Sequence, residues 1–495
     1  MANTFLNTMK ASQNYKLTEN GAVSYASTLN GVLDMFALGG AYRKRSDSDV
    51  WVLFRRAWNE DKDLAMKCLF YLRDCRGGQG ERRFFRVVMH NMMNGGAEYR
   101  QAVSAVIGSI PEFGRWDDLI YSAYDTPYWG AAMEIVKNQL GKDLRGLTKV
   151  NEGISLLGKW LPSENASSHT TTIMGGAVRV YLGLSHKQYR KVLSNLRERI
   201  NVLERLMSAQ KWDEIHFDAI PSKAGLKYRN AFAHNEFLAA RYEAFMKSKD
   251  TKVNAGVLNP VDIAHQIFAA SWRGADQTAR NAWQKYWDNL PDYYNGREEN
   301  GICVVDVSGS MTGTPMEAAV SLGAYIADKA DGPFKNHFIT FSSNPSLVEF
   351  EGVDIYDKFQ RARNADWGGS TNIEGTMDLI LNTCIKGRCK MPDRLYIFTD
   401  MEFNSAVGGW GRRTYEPETL FEGIERKFNA HGYKMPQVVF WNLDARQDTI
   451  PAIGGRYSYV SGFNPNMIEC ILSGKTGWDL CLEKLLSERY QAIHA

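Results

Sequence analysis

The chain has 495 residues, 44% of them hydrophobic and 23% charged, a globular balance that excludes collagen-like and disordered classes. No run approaches the roughly 18 unbroken apolar residues of a membrane span. The start, MANTFLNTMKASQNYKLTEN, lacks the succession of a signal peptide, so a cytoplasmic protein without a membrane partner is expected. The net charge of +3 divides into about +8 over residues 1–300 and about −5 over 301–495, which directs any acidic polymer to the first part.

A chain of this length is too long for one typical core and predicts several parts. From about residue 20 to 290 the pattern is helical nearly throughout, in segments of ten to twenty residues broken by Gly, Pro or Asn. In 80–94, Phe84, Phe85, Val88, Met89 and Met92 recur at helical spacing, with Arg82 and Arg86 on another face. In 186–206, Tyr189, Val192, Leu193, Leu196, Ile200 and Leu203 form a stripe, and Lys187, Arg190, Lys191 and Arg197 fall largely outside it. No exact repeat period is visible, so residues 1–290 are expected to form degenerate helical pairs of HEAT type. The segment 291–300, PDYYNGREEN, is turn-rich and without periodicity, and is predicted to be a linker.

After it the texture changes. Apolar runs at 302–307, 337–343, 395–400, 437–443 and 457–463 alternate with helical segments at about 315–330, 371–386, 417–431, 464–473 and 476–493. Alternation of this kind predicts an α/β domain over 301–495 with a parallel sheet covered on both faces.

Ligands of such sheets bind beyond the carboxyl ends of the strands. The first run ends in Asp306-Val307-Ser308-Gly309-Ser310, which offers one carboxylate and two hydroxyls around a tight turn. Thr371 would add a hydroxyl from a second loop, and Asp400, ending LYIFTD, a second carboxylate. An all-oxygen set with two carboxylates suits a hard divalent cation, Mg²⁺ or else Mn²⁺ or Ca²⁺. The bland alternative is that Thr371 and Glu374 form a capping box and that Asp306 and Asp400 serve turns. Ser473-Gly474-Lys475-Thr476 looks like the end of a P-loop but lacks its first glycine and a preceding strand, and Gly77–Gly80 lies between helices. No nucleophile–base pair or HExxH spacing is present, so no enzymatic activity is expected. The seven cysteines are scattered without zinc-site spacing and are expected to be reduced.

The order DxSxS, loop threonine, strand-end aspartate resembles the metal-ion-dependent adhesion site of the von Willebrand factor A family. That resemblance implies a Rossmann-like fold, metal binding by Asp306, Ser308, Ser310, Thr371 and Asp400, and an open position for the carboxylate of an acidic protein partner. LFYLRDCRGGQGERRFFR at 69–86 and IPEFGRWDDLI at 110–120 resemble the helical TROVE module of the Ro ribonucleoproteins, which also precedes an A domain. YRKVLSNLRERINVLERLMSAQKWDEI at 189–215 is similar to a less characterised family found in plants, bacteria and phages. The Ro resemblance implies an RNA-binding scaffold that holds partly single-stranded RNA, with Arg179, His186, Lys187, Arg190 and Lys191 as phosphate contacts. The alternative is a metal-dependent protein-interaction module that binds no RNA.

Overall fold

The computed structural model describes residues 9, 13–149, 153–271, 274–341, 344–363, 371–405 and 418–495. It is helical in its N-terminal part and carries a C-terminal mixed sheet of six strands, an α/β domain after a helical module. The chain forms two compact units that are not contiguous in sequence: residues 1–68 with 255–489, and 69–254 with 490–495.

The first unit opens with a hairpin that helical periodicity did not suggest. Strands β1 (Tyr15–Leu17) and β2 (Val23–Tyr25) pair antiparallel around a turn in which Gly21 takes φ +85, a conformation glycine adopts without a Cβ penalty. The helix Gly31–Leu38 that follows is apolar on nearly every side, with all but its first residue buried. A helix of that composition needs cover all round.

The sheet runs β5–β4–β3–β6–β7–β8, with β3 Gly301–Asp306, β4 His337–Phe341, β5 Ser346–Glu349, β6 Arg394–Thr399, β7 Gln437–Asn442 and β8 Tyr457–Ser461. The apolar runs of β3, β6, β7 and β8 are buried on both faces, as parallel strands covered by helices must be. The expected all-parallel sheet is corrected at one edge, where β5 pairs antiparallel with β4. Only Val348 of β5 is buried, so its sequence gives no continuous apolar run.

At the other side, Ser461 Oγ on β8 donates to Phe36 O and accepts from Gly40 N, both at 2.9 Å. A Cβ at position 40 would lie 2.6 Å from Ser461 O, so this approach requires glycine. The helices Pro260–Ala270 and Gln277–Asp288 also belong to this unit. Trp287 Nε1 donates to Asp328 Oδ2 at 2.9 Å, and Arg280 pairs with Asp354 at 2.6 Å.

The boundary drawn at 291–300 therefore runs through the interior of this unit. Tyr294 is buried, Pro291 O accepts from Tyr325 Oη at 2.5 Å, and Glu299 pairs with Arg394 at 2.6 Å. Turn residues signal a bend in the chain, and here the bend is packed.

Among the described residues, the second unit has helices as its regular elements, and the two sequence strings at 69–86 and 110–120 meet in it. Arg73 donates twice to the buried Asp118, at 2.8 and 2.5 Å, and Arg86 bonds the other Asp118 oxygen at 2.7 Å. Cys75 N donates to Phe113 O, and Arg76 Nη1 to Glu112 O. The Gly77–Gly80 run is the turn between the helices Lys62–Arg73 and Arg82–Asn94. The cysteines of the chain are free thiols. Among the described residues, no helix is long and apolar enough to cross a membrane.

Candidate metal centre

Strand order fixes where a ligand site forms. From β3 the chain steps to β4 on one side, and later β6 pairs with β3 on the other. The carboxyl ends of β3 and β6 thus flank the point where the order reverses, the place at which open α/β sheets bind ligands. Asp306 ends β3 and Asp400 directly follows β6.

Both aspartates are buried, as are Ser308 and Thr371, and Ser310 is half-buried. Asp306 Oδ1 accepts from Ser308 N at 3.0 Å, and Oδ2 accepts from Thr399 Oγ1 at 2.6 Å. The Ser308 and Ser310 hydroxyls lie 3.1 Å apart, as the alternate positions of a tight turn allow. Asp400 Oδ1 accepts from Glu402 N at 3.1 Å. Among the described residues its buried Oδ2 makes no hydrogen bond of ordinary geometry, although the Ser310 hydroxyl acts on this carboxylate, and Arg446 Nη1 lies 4.0 Å away.

Met401, next in the chain, has φ +67. A non-glycine residue there marks local strain held by its surroundings. Thr371 touches this turn through its carbonyl, which accepts from Asn404 N at 3.1 Å. It is not the helix cap: Asn372 caps the helix Ile373–Gly387 by accepting from Gly375 N. The capping-box alternative for Thr371 and Glu374 is thereby removed. The loop residues Trp367 to Ser370 lie outside the described residues.

Burial, and then the Asp400 charge, push the Asp306 carboxyl well above the usual carboxylate range, and burial raises Asp400 too. Two neighbouring carboxyls that are both raised favour a proton or a cation between them. Among the described residues, no three His, Cys, Asp or Glu side chains gather into a metal cage. The donors assembled here are two carboxylates and hydroxyls, a set that fits a hard cation retaining water. Among the described residues, Thr399, Glu402, Asp444, Arg446 and Glu19 also lie around the two aspartates. None was singled out in the sequence, and only Thr399, beside a candidate ligand, had a local signal.

Residues 300–488 match the family model of a domain of unknown function, DUF7788, which spans all five candidate ligands. Residues 18–94 and 178–292 match a second, DUF2828. The whole chain is 33% identical to the uncharacterized protein L728 of Acanthamoeba polyphaga mimivirus over 503 aligned positions, which cover 93% of this chain and 85% of the viral protein. The chain belongs to the family of L728. The DUF2828 match joins the start of the chain, with Glu19, to the segment holding the five phosphate-contact candidates.

The five phosphate-contact candidates divide. Arg179 bonds Glu164 Oε1 at 2.7 Å, and His186 Nδ1 sits 2.9 Å from Glu164 Oε2. These two hold the approach to the helix His186–Arg199. Lys187, Arg190 and Lys191 are exposed on that helix. Arg197, placed outside the apolar stripe by its spacing, instead turns inward and donates to Gly158 O, Ser163 Oγ and Leu161 O, each at 2.9 Å.

Proposed function

We propose that the chain is a metal-dependent binding scaffold whose α/β unit is a von Willebrand A-type domain. A divalent cation, Mg²⁺ in the first instance, is held by Asp306, Ser308, Ser310, Thr371 and Asp400, and receives a carboxylate of an acidic protein partner. The observation that carries this reading is the buried Asp400 Oδ2, which among the described residues makes no hydrogen bond of ordinary geometry, beside the Ser310 hydroxyl and near enough to the buried Asp306 for its charge to act on it. Leaving a charged oxygen unpaired in the interior is costly, and a cation removes the cost. When bound, the metal supplies a positive centre for an anionic ligand; the Thr399 hydroxyl and the Ser308 amide orient Asp306 toward it. Calorimetric titration of Mg²⁺ and Mn²⁺ into the metal-free protein tests the proposal. One site is expected in the wild type and none in Asp306→Ala, and a wild type that binds neither ion overturns the reading.

A second reading rests on the exposed Lys187, Arg190 and Lys191, which share one helix face while their cationic neighbours are engaged internally. Together with the likeness of the helical strings to the Ro module, they support a role for HEAT-like helical pairs in holding RNA phosphates in the cytoplasm. The two readings are compatible, one for each unit.

A further inference from the structure

The turn from Thr18 to Gly21 is bonded to the loop that carries Asp400. Thr18 Oγ1 donates to Phe403 O at 2.6 Å, and Glu19 N to Glu402 Oε2 at 2.6 Å. Asn20 Nδ2 donates to Glu402 O at 2.5 Å, and Ser405 N donates back to Asn20 O at 3.2 Å. Glu402 is itself fully buried, and its other oxygen accepts from Thr449 Oγ1 at 3.1 Å. The turn is therefore a fixed part of the site's wall.

What the turn presents is a carboxylate. The Glu19 side chain, 35% exposed, has Oε2 3.1 Å from Arg446 Nη1, and the same nitrogen is 4.0 Å from the buried Asp400 Oδ2. Those two distances put Glu19 Oε2 within about 7 Å of the Asp400 oxygen, a gap that rotation of a glutamate side chain can close to a metal or to its bound water. Among the described residues, the Arg446 guanidinium thus lies between two carboxylates, that of Asp400 and that of Glu19 on the chain's own N-terminal turn.

We propose that Glu19 is the site's built-in acidic ligand. With a divalent ion on Asp306 and Asp400, the open coordination position is taken by Glu19 of the same chain, and an incoming carboxylate binds by displacing Glu19 onto Arg446. Because the turn is fixed, Glu19 competes at the high effective concentration of an intramolecular group, so that only a partner with further contacts displaces it. This inference rests on the metal-site reading above.

The test uses Mn²⁺ with the full-length protein. Electron paramagnetic resonance reports free Mn²⁺, water-proton relaxation reports the exchangeable waters on the bound ion, and acetate serves as the carboxylate probe. Glu19→Gln keeps the backbone bond to Glu402, and melting without metal verifies its fold. Wild type and Glu19→Gln should each bind one Mn²⁺, with about one more exchangeable water in the variant and its displacement at several-fold lower acetate. Arg446→Gln, which retains the Glu19 carboxylate, should keep the lower hydration of the wild type. Equal hydration and equal acetate response, with Mn²⁺ bound to both proteins, overturn the Glu19 assignment and leave the metal site standing. No Mn²⁺ on the wild type overturns both.

Discussion

A pair of neighbouring buried carboxylates holds on to a proton until something more positive displaces it. Asp306, pushed up to about 7 by burial and by the charge of Asp400, must lose its proton before a metal can bind. The folded-state value lies above the unfolded one, so in chelator this group stabilises the fold fully below about pH 4 and ceases to do so as pH rises through about 7. With metal the sign reverses: the ionised form is the one that binds. The Mg²⁺-induced rise in melting temperature should therefore be larger at pH 8 than at pH 6, with affinity changing by up to about tenfold per pH unit below 7. Asp400→Asn should raise stability in chelator by roughly 1–3 kcal/mol by removing the unpaired charge, and abolish the Mg²⁺ response. The five candidate ligands could be named from the sequence because Asp306, Ser308, Ser310 and Asp400 follow apolar strands and Thr371 shortly precedes a helix. Glu19 and Arg446 were not, since they reach the site from opposite ends of the chain and carry no local pattern.

The helix His186–Arg199 shows how one element assigns similar residues to different tasks. Its spacing separated an apolar stripe from a cationic face but could not distinguish Arg197, which borders the stripe next to Leu196, from Lys187, Arg190 and Lys191. In the fold Arg197 reaches back to carbonyls at Gly158 and Leu161, and its burial lowers its pKa from the usual arginine range. Arg197→Met should cost about 2–4 kcal/mol in denaturant unfolding, because it removes charge-assisted bonds and strands buried acceptors. Changing the other three cations to alanine should shift stability by no more than about 0.5 kcal/mol each. In that triple variant, affinity for single-stranded RNA should fall and the slope of log affinity against log salt should flatten by up to about 3. An unchanged slope would remove this face from the RNA reading. Strand legibility follows the same logic: β3, β6, β7 and β8 are apolar on both faces and announced themselves, whereas β1, β2 and β5 are three or four residues long, with at most two of them buried.

At the scale of the molecule, the sequence suggested a cut at 291–300 because composition changes there, yet the unit that holds the sheet also takes residues 13–68 and 255–290. Composition records the local texture of a segment; it does not record which surface that segment covers. The helix Gly31–Leu38 covers β8, Tyr25 exchanges backbone bonds with Ile450, and Trp283 and Trp287 are buried at the opposite side. A fragment spanning 291–495 would expose the apolar surfaces beneath all of these, several large side chains at about 1.5–3 kcal/mol each, against a net stability of about 5–15 kcal/mol for a typical domain. Such a fragment should show no cooperative thermal transition and should bind a hydrophobic dye. A circularly rearranged chain that runs 255–489 and then 13–68, joined by a flexible linker, should regain both the transition and Mn²⁺ binding. If 291–495 alone melts cooperatively and binds Mn²⁺ like the whole chain, the N-terminal segments are accessory to the site and the turn bearing Glu19 is not required to build it.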